Sequence, residues 1–425
     1  MVTLWVKQRN HPRNKIIVLS LEQAREAILA KIIPASETTA IPLDQALNHY
    51  VGTTLTAQVD NPAFDNSAMD GYAINCKDLD EANGYQLSLI GEAACGSAPA
   101  QLAPNSTMRI FTGAPLPQGA DSVVMQENIE VSDGGKITFP EEVKIGGNIR
   151  RRGEDFKKGD NLYNSGHQIT SNDLALLATA GIAQPIVWTP PRILVIATGD
   201  ELISPGDTLQ PGQIYESNRL TTIAQLAELG VTHVDSDTLR DDPNILREHF
   251  AGAQNYDFII TSGGASVGDY DLVKQIFSEI GEISFWKARI KPGKPIAFGR
   301  VGERSHFFAL PGNPVASLVT FKLFIEPALI HWHHGTFHDP QLQARALGPY
   351  QRRPGRREFL RAQLSIDNGI LCAMPLPGQG SHMVRPLNQT NGFIVVNETS
   401  SGFKDGDTIT AIPLTTHIAS GQHTY

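Results

Sequence analysis

Two stretches of the sequence decide the fold: residues 192–202, RILVIATGDEL, and residues 256–264, YDFIITSGG. Each is a short apolar run that ends in a loop of glycine and polar residues. Between them, residues 218–229 and 244–253 have the apolar spacing of amphipathic helices, and residues 231–235 form another strand-like run. Because strands that alternate with helices pair in parallel, this region predicts an open, doubly wound and largely parallel α/β sheet.

The same alternation continues toward residue 334. It predicts a helix, three strands and a long helix at residues 273–280, 285–288, 296–298, 307–310 and 314–330. The α/β domain is therefore predicted at residues 184–334.

The flanking sequence differs in kind from this domain. Residues 60–150 and 335–425 consist of short alternating segments broken by turn-forming residues, which predicts a β-rich domain and a small C-terminal domain that is a β-barrel or, alternatively, a sandwich. Residues 19–59 and 151–183 contain helical spacing and predict a small linking and dimerisation region built from two stretches. Residues 1–18 are expected to be an N-terminal extension. The fold class is thus multidomain α/β plus β.

Composition limits the classes of function. A chain of 425 residues exceeds what one hydrophobic core usually serves, and its net charge of −9 disfavours a nucleic-acid partner. Apolar runs such as residues 193–197 are far shorter than the roughly 20 residues that span a bilayer, so we expect no membrane partner. The N-terminus lacks a signal-like apolar core, which leads us to expect a cytoplasmic protein. The three cysteines are far apart and are expected to be reduced.

Four loops are expected to share one edge of the α/β sheet. Ligands of such sheets bind at the carboxyl ends of the strands, where loops meet helix N-termini. The loops comprise residues 198–201, 240–243, 261–268 and 310–314. Their polar and glycine-rich composition predicts a site at this edge, which we call the rim.

The loop at residues 261–268, TSGGASVG, favours an anion as the ligand. Glycines between a strand and a helix let the backbone approach an oxyanion, and the helix N-terminus offers free N–H groups. The loop has neither the Lys-Ser/Thr ending of a P-loop nor the G-x-G-x-x-G pattern, which disfavours a nucleoside triphosphatase or a dinucleotide-binding fold. A simple turn with a helix cap is the alternative.

Acidic residues fall in three of the same loops. They are Glu201, Asp241, Asp242, Asp269 and Asp271. Converging carboxylates repel one another unless a cation lies between them, and oxygen ligands beside a phosphate suit Mg²⁺. Each acid taken alone could instead be a helix cap or a solvated side chain.

Basic residues are concentrated in two segments of this acidic chain. Residues 287–295, KARIKPGKP, place lysines on a turn constrained by proline and glycine, which suits phosphate binding or, alternatively, surface solubility. Residues 150–155, RRRGED, carry their own acids, which suggests fixed ion pairs. The run at residues 331–334, HWHH, is expected to be a polar helix end rather than a metal site.

Nine motifs occur together and in order along the chain. They are FDNSAMDGYA (64–73), TGAPLP (112–117), RRRGED (150–155), TGDEL (198–202), GQIYESNR (212–219), RDDP (240–243), SGGASVGDYDLVK (262–274), KPGKP (291–295) and LPGNP (310–314). In these motifs the sequence closely resembles the MoeA family, also seen as the E domain of gephyrin. The resemblance extends from about residue 20 to the C-terminus.

The resemblance implies an elongated four-domain homodimer with its active cleft between the α/β domain of one subunit and the β-rich domain of the other. The implied reaction is that of a molybdopterin molybdenumtransferase, in which molybdate enters adenylylated molybdopterin and AMP is released with Mg²⁺. The residues implied as catalytic are Asp70, Glu201, Asp241 and Asp271, of which the last three are the implied metal ligands. The residues implied to bind substrate are Thr112, Arg151, Asp155, Asn218, Ser262, Gly263, Gly264, Ser266, Lys274, Lys291, Lys294, Pro311, Asn313 and Pro314.

Two other functions remain open at this point. Gephyrin-like relatives use the same dimeric architecture as a scaffold for partner peptides, although converging acids at a phosphate loop favour an enzyme. Molybdate and tungstate are tetrahedral dianions of nearly equal size, so the sequence does not separate them. The resemblance also implies a transient contact with a separate molybdopterin adenylyltransferase that supplies the substrate.

Overall fold

A computed structural model describes residues 17–132, 134–263 and 272–414. The chain forms two compact units. The first, here called the α/β-barrel unit, consists of residues up to 38, residues 48–50 and residues from 188 onward. The second, here called the β-rich unit, consists of residues 39–47 and 51–187.

The helices of the described residues are mostly short. The α-helices are α1 (Leu21–Leu29), α2 (Ser171–Thr179), α3 (Asn218–Glu228), α4 (Pro243–Phe250), α5 (Leu272–Ile280), α6 (Pro314–Thr320) and α7 (Glu326–Trp332). A π-helical segment, Phe321–Ile325, joins α6 to α7. Single 3₁₀ turns lie at Leu43–Gln45, Cys76–Asp78, Glu81–Asn83, Gln126–Asn128, Ala253–Asn255 and Arg385–Gln389.

The strands are numbered in chain order. The first part of the chain contains β1 (Ile17–Leu19), β2 (Thr38–Ala40), β3 (Leu55–Thr56), β4 (Asn66–Ser67), β5 (Gly71–Ile74), β6 (Gln86–Ala93), β7 (Ser106–Ile110), β8 (Ser122–Met125), β9 (Glu130–Ser132), β10 (Lys136–Thr138), β11 (Ile149–Arg150), β12 (Asn161–Tyr163) and β13 (Ile186–Trp188). The remainder contains β14 (Ile193–Thr198), β15 (Leu202–Ile203), β16 (Ile214–Tyr215), β17 (Val234–Leu239), β18 (Phe258–Ser262), β19 (Gly281–Ala288), β20 (Ile290–Lys291), β21 (Pro295–Val301), β22 (Ser305–Leu310), β23 (Leu342–Ala346), β24 (Tyr350–Gln351), β25 (Arg357–Asp367), β26 (Ile370–Pro375), β27 (Gly392–Val396), β28 (Gly402–Phe403) and β29 (Thr408–Pro413).

The predicted α/β sheet is confirmed as a seven-stranded sheet in the order β1-β19-β21-β22-β18-β14-β17. Strand β14 pairs in parallel with β17 and β18, and β18 pairs in parallel with β22. Strand β21 runs antiparallel to both neighbours, because the turn at residues 289–294 connects it to β19 and a tight turn at residues 302–304 connects it to β22. The strand expected at residues 231–235 begins three residues later, at Val234.

Hydrophobic cores cover both faces of this sheet, as the doubly wound pattern requires. All six residues of β14 are buried, and their side chains alternate between two clusters: Ile193 and Val195 face one, Leu194 and Ile196 the other. Helices α1, α3, α6 and α7 cover the first face, and α4 and α5 the second. Removing a fully buried ring such as Phe308 would cost about 3 to 5 kcal/mol.

The long helical segment Pro314–Trp332 is the central element of the first core. Its mean hydropathy is 1.3 and 78% of its most apolar stretch is buried. By length and composition alone it could cross a membrane, but apolar helices of this kind are also common inside folded domains. The π-helical segment precedes Pro327, which has no N–H to donate to the carbonyl of Leu323; Arg25 Nε donates to that carbonyl instead, at 3.3 Å.

The N-terminal elements β1 and α1 lie with the α/β sheet, whereas the sequence placed residues from 19 onward in the linking region. Strand β1 pairs in parallel with β19 at the sheet edge. Helix α1 begins with a capping box between Ser20 and Gln23 and buries Leu21, Ala24 and Ile28. A strand of three residues is too short to show a period, so its long-range pairing is invisible in the sequence.

The predicted C-terminal barrel is confirmed. Strands β25, β26, β23, β29 and β27 form successive pairs, and an additional pairing of β25 with β27 closes the ring. Strand β20, from the α/β domain, adds to the outside of β25 in parallel. The barrel therefore has a direct backbone connection to the turn that carries the predicted lysines.

The β-rich unit is also confirmed. Its main sheet has the order β8-β5-β7-β6-β10-β9. Its linking part contains α2, which buries Leu177 in a separate core with Val51 and Val187. Thr170 and Asp173 form the capping box of α2.

The histidines that follow α7 are packed rather than solvated. His333 is buried and stacks on Tyr50 with ring centroids 4.7 Å apart. His334 stacks on Trp188, and its Nε2 lies 2.8 Å from the carbonyl oxygen of Ala35. These contacts give the cluster a structural role at the helix end.

Candidate active site

The rim loops are neighbours because the strands that lead into them end in register. Thr198 pairs with Leu239, and Ser262 pairs with both Ala197 and Leu310. All four strands are parallel here, so their carboxyl ends lie at one edge. Ser262 is buried at the end of its strand.

Backbone hydrogen bonds join the loops to one another. The N–H of Gly199 donates to the carbonyl of Leu239, and that of Gly263 donates to the carbonyl of Leu310, both at 3.1 Å. Gly263 has a φ of +98°, and a Cβ there would lie 3.1 Å from the carbonyl oxygen of Thr198. Only glycine fits this position without strain, so the start of the predicted anion loop is built for close backbone packing.

The acidic residues of the rim have different roles. Asp242 is the N-cap of α4, and its carboxylate accepts from the N–H groups of Asn244 and Ile245. The N–H of Asp241 donates to Oδ1 of Asp200 at 3.2 Å. Desolvation, followed by the charges of Asp200 and Glu201, raises the pKa of Asp241.

Three carboxylates, those of Asp200, Glu201 and Asp241, therefore interact electrostatically at the rim. The sequence analysis did not select Asp200; its position next to Glu201 after the same strand was the signal that could have found it. No group of three or more His, Cys, Asp or Glu side chains within the described ranges is arranged to hold a metal ion by itself. Asp269 and Asp271 lie outside the described residues.

Asn218 connects α3 to the last rim loop. Its Nδ2 donates to the carbonyl of Gly312 at 2.7 Å, whereas its Oδ1 is buried and has no hydrogen-bond partner among the described residues. Glu216, only 3% exposed, accepts from the N–H of Arg219 at 2.7 Å and so fixes the first turn of α3. Sequence reasoning missed Glu216, because nothing in its motif distinguishes it from its neighbours.

The same loop begins α6. Asn313 is the N-cap and Pro314 the first helical residue, where the missing N–H of proline has no cost. Pro311 is buried. The N–H of Val315 donates to the carbonyl of Ser381, so a loop of the C-terminal barrel lies against this helix start.

The two predicted lysines lie on a closed turn. The N–H of Ala288 donates to the carbonyl of Lys294 at 2.9 Å. Gly293 has a φ of +96°, and a Cβ there would lie 2.5 Å from the methyl carbon of Thr320. Lys291 Nζ lies 2.9 Å from Oε1 of Glu358, and Lys294 is exposed.

The predicted site residues of the β-rich unit form their own polar network. Asp70 Oδ1 accepts from the N–H and from the hydroxyl of Thr112, each at 2.8 Å. These bonds, with the charge of Arg109, lower the pKa of Asp70. Thr112 therefore holds the carboxylate of Asp70 in its ionised form.

Fixed ion pairs hold the arginine segment, although the acids involved are mostly distant in sequence. Arg151 pairs with Asp65 at 2.7 Å, and Arg152 pairs with Asp60. Asp155 Oδ2 accepts from Asn61 Nδ2 at 2.9 Å. Asp60 and Asp65 were not found by sequence reasoning, since their partners lie 92 and 86 residues away.

Several predicted residues fall outside what the structure describes. Gly264, Ser266 and Asp271 lie between residues 263 and 272, outside the described ranges, and Lys274 lies in α5 with its side chain outside the described part. The structure thus brings together the described rim residues around one edge of the sheet, while Asp70, Thr112, Arg151 and Asp155 belong to the β-rich unit.

Polar, glycine-rich loops at the carboxyl edge of a doubly wound sheet are where proteins of this class bind their ligands. Three family models match the chain: the MoeA N-terminal region (domain I and II) at residues 19–181, a probable molybdopterin binding domain at 194–331, and the MoeA C-terminal region (domain IV) at 343–414.

Known proteins agree over nearly the whole chain. The molybdopterin molybdenumtransferase of Haemophilus influenzae is 38% identical over 401 residues, covering 93% of this chain and 98% of the relative. That of Bacillus subtilis is 33% identical, covering 88% and 89%. The crystal structure of the molybdopterin biosynthesis MoeA protein from Pyrococcus horikoshii has a TM-score of 0.77 and 28% identity, covering 94% of this chain and all of that one. The chain therefore belongs to the molybdopterin molybdenumtransferase (MoeA) family, a family of transferases in molybdenum cofactor biosynthesis.

Proposed function

We propose that this protein is a cytoplasmic molybdopterin molybdenumtransferase. It takes adenylylated molybdopterin and molybdate, cleaves the phosphoanhydride to release AMP, and leaves the metal on the dithiolene of the pterin. The observation that supports this most directly is the rim, where acids, a glycine loop and an oriented asparagine converge at the carboxyl edge of the sheet. Family membership points to the substrate.

The residues of the rim suit an anionic, phosphate-bearing substrate. Gly263, Gly264 and Ser266 are the proposed phosphate contacts, since a glycine loop between a strand and a helix suits an oxyanion. Asn218 has a buried Oδ1 without a partner among the described residues, which leaves an acceptor for a ligand donor. Lys291 and Lys294 would offset charge on the phosphate or on molybdate.

The carboxylates fit Mg²⁺ as the associated cation. Their donors are all oxygen. Desolvation and the charges of Asp200 and Glu201 raise the pKa of Asp241, and a cation among the carboxylates would offset both effects. Glu201 and Asp241, with Asp271, would hold the ion, and Asp200 orients the backbone of Asp241. When bound, Mg²⁺ would neutralise charge on the phosphates.

The proposal includes a homodimer. In it Asp70 and Thr112 from the β-rich domain of one subunit would complete the rim of the other. Asp70 is kept ionised and Thr112 orients it, which suits a carboxylate that must meet a substrate donor. We further propose that a separate molybdopterin adenylyltransferase delivers the substrate through a transient contact.

The test is AMP release from adenylylated molybdopterin by purified protein with Mg²⁺, with and without molybdate. Wild type should release AMP in a molybdate-dependent manner, and Asp271→Ala and Glu201→Gln should abolish it. Asp242→Ser is the matched control, since serine keeps the N-cap of α4 while removing a neighbouring carboxylate. A folded wild type that releases no AMP and forms no cofactor would point to a scaffold role instead. Repeating the assay with tungstate decides between the two metal oxyanions.

A further inference from the structure

The C-terminal barrel directly contacts the lysine turn. Strand β20 pairs in parallel with β25, and the register places Ile290 opposite Arg357 and Lys291 opposite Glu358. The two side chains meet, with Lys291 Nζ 2.9 Å from Glu358 Oε1. The ion pair thus joins a predicted ligand-binding lysine to a strand of a different domain.

The barrel holds the carboxylate of Glu358 in place. Glu358 is 5% exposed, and its second oxygen accepts from the hydroxyl of Tyr350 at 2.6 Å. Arg352, itself buried, lies 3.5 Å from Oε1 and donates to the carbonyls of Arg356 and Glu398. Burial opposes ionisation, but Tyr350, Lys291 and Arg352 outweigh it and lower the pKa of Glu358. The carboxylate is therefore a fixed, charged anchor.

The backbone of the lysine turn is fixed by the same domain. The N–H of Arg357 donates to the carbonyl of Arg289 at 2.8 Å, and the Arg356 guanidinium donates to the carbonyl of Ile290 at 3.3 Å. Lys291 itself is 47% exposed along its side chain. The side chain is therefore anchored at Glu358 while about half of it stays accessible to solvent.

We infer that Glu358 is a positioning residue that orients the ammonium group of Lys291 for an oxyanion at the rim. The inference rests on the proposed function, because it takes an oxyanion as the ligand of Lys291. An ammonium has three N–H donors; Glu358 takes one, and two remain for the oxyanion. A free lysine loses the entropy of four rotatable bonds when it binds, and Glu358 removes part of that cost beforehand.

A purely structural role for Glu358 makes a different prediction. If Glu358 supports the site only through its contacts with Tyr350 and Arg352 inside the barrel, its loss weakens ligand binding by the same factor whether or not Lys291 is present. If Glu358 acts through Lys291, its loss has no effect on affinity once Lys291 has been removed. A double-mutant cycle separates the two.

The experiment measures the binding of inorganic molybdate and, separately, of AMP to the full chain by isothermal titration calorimetry. The proteins are wild type, Lys291→Ala, Glu358→Gln and the double variant. We expect Lys291→Ala to weaken binding of the oxyanion that contacts Lys291 about 10- to 100-fold, as loss of a charged hydrogen bond does. Glu358→Gln should weaken binding of the same oxyanion about 3- to 10-fold. The double variant should match Lys291→Ala. The probe that responds identifies whether Lys291 meets the metal oxyanion or the nucleotide phosphate.

Two further variants serve as a negative control and as a second way to perturb Glu358. Asp367→Asn removes an exposed ion pair with Arg345 at the far end of the same strand and should leave affinity unchanged. Tyr350→Phe loosens Glu358 without removing its charge and should weaken binding in the same direction, which keeps the test valid if Glu358→Gln unfolds. Equal effects of Glu358→Gln with and without Lys291, or no effect of either Glu358→Gln or Tyr350→Phe, would overturn the inference.

The outcome is separable from that of the proposed function. If wild type releases AMP from adenylylated molybdopterin but the cycle is additive, the function stands and the positioning role fails. If wild type is inactive yet the binding cycle is non-additive, the positioning role stands and the proposed reaction fails.

Discussion

Asp241 in the α/β-barrel unit and two acids of the β-rich unit, Asp65 and Asp173, are in opposite electrostatic situations. At the rim, desolvation and the charges of Asp200 and Glu201 raise the pKa of Asp241. In the β-rich unit, burial acts in the same direction on Asp65 and Asp173, but the hydrogen bonds that they accept outweigh it and lower their pKa. A carboxylate among carboxylates is relieved only by a cation or a proton, whereas one surrounded by donors is satisfied by the protein. For these three acids, the difference separates the one proposed to serve a cation from the two that hold the fold.

The largest expected effect tests the rim side of the comparison. Asp241→Asn should lower AMP release about 100-fold or more, because it removes a charge that the cation and the transition state need. The melting temperature should stay unchanged or rise slightly, since the variant also removes repulsion at an exposed site. Activity and thermal unfolding measured on the same preparation check this. A parallel loss of activity and stability would place Asp241 with the structural acids.

Buried histidines extend the comparison to bases. Burial lowers the pKa of His306 to about 4, and its Nε2 accepts from the N–H of Ile33 at 3.1 Å. His306 binds a proton more tightly in the unfolded chain, where its pKa is about 6.5, than in the folded chain. The neutral buried imidazole therefore makes its full contribution to stability above pH 6.5, and this contribution is lost as pH falls through about 4. The loss for one such group is about 3 kcal/mol.

His306→Gln tests this by urea unfolding across pH 7 to pH 4. The variant should be less stable at pH 7 but should show a shallower fall of the unfolding free energy with acid than wild type. The pH dependence attributed to His306 is wrong if both proteins have the same slope.

An effect of intermediate size is expected for the carboxylates that accept hydrogen bonds from the protein itself. Asp173 accepts from Tyr163, His167 and Thr170, and its pKa falls to about 2. Because the pKa of Asp173 is lower in the folded chain than in the unfolded chain, where it is near 4, ionised Asp173 stabilises the fold above about pH 4. This contribution is lost as pH falls through about 2. Asp173→Asn should therefore cost about 2 kcal/mol of unfolding free energy at pH 7. The difference from wild type should shrink toward pH 2.

Asn172→Ala is the control for that variant, because Asn172 is an exposed neighbour in the same helical turn. It should change the unfolding free energy by less than about 0.5 kcal/mol. Equal costs for the two variants would show that the helix start, rather than the network around Asp173, carries the stability.

Much of the fold could be predicted because its signals are local. The apolar runs that became β14 and β18, and the helices between them, have clear periods, and parallel pairing follows from their alternation. The addition of β1 to the sheet could not be predicted, because its three residues pair with β19 across some 270 positions of sequence. The π-helical segment before Pro327 likewise depends on a tertiary donor, Arg25.

The candidate site divides in the same way. Gly263 and Asp241 stand out in loops that follow strands, so position in a local pattern predicts them. Asp200 differs from a solvated acid only through its contact with Asp241, and Glu358 differs only through its register with Lys291. Roles that arise from contacts between distant segments are absent from any local pattern.

The smallest expected effect concerns Arg151, a basic residue that is predicted to bind substrate and also pairs with one of the acids of the β-rich unit. Arg151 pairs with Asp65 at 2.7 Å, but its side chain is 54% exposed, and Asp65 also accepts from the N–H of Arg152. Arg151→Ala should therefore cost less than about 1 kcal/mol of stability, as exposed ion pairs do. A guanidinium has five N–H donors and Asp65 accepts from NH1. Donors thus remain for a substrate, and we expect KM for adenylylated molybdopterin to rise about 3- to 10-fold.

Arg152→Ala, which removes the neighbouring pair with Asp60, is the matched control and should leave KM unchanged. An unchanged KM in Arg151→Ala would show that Arg151 is purely structural, like the carboxylate of Asp65 with which it pairs. A raised KM would show that an arginine can hold the fold through one N–H group and bind substrate through the others.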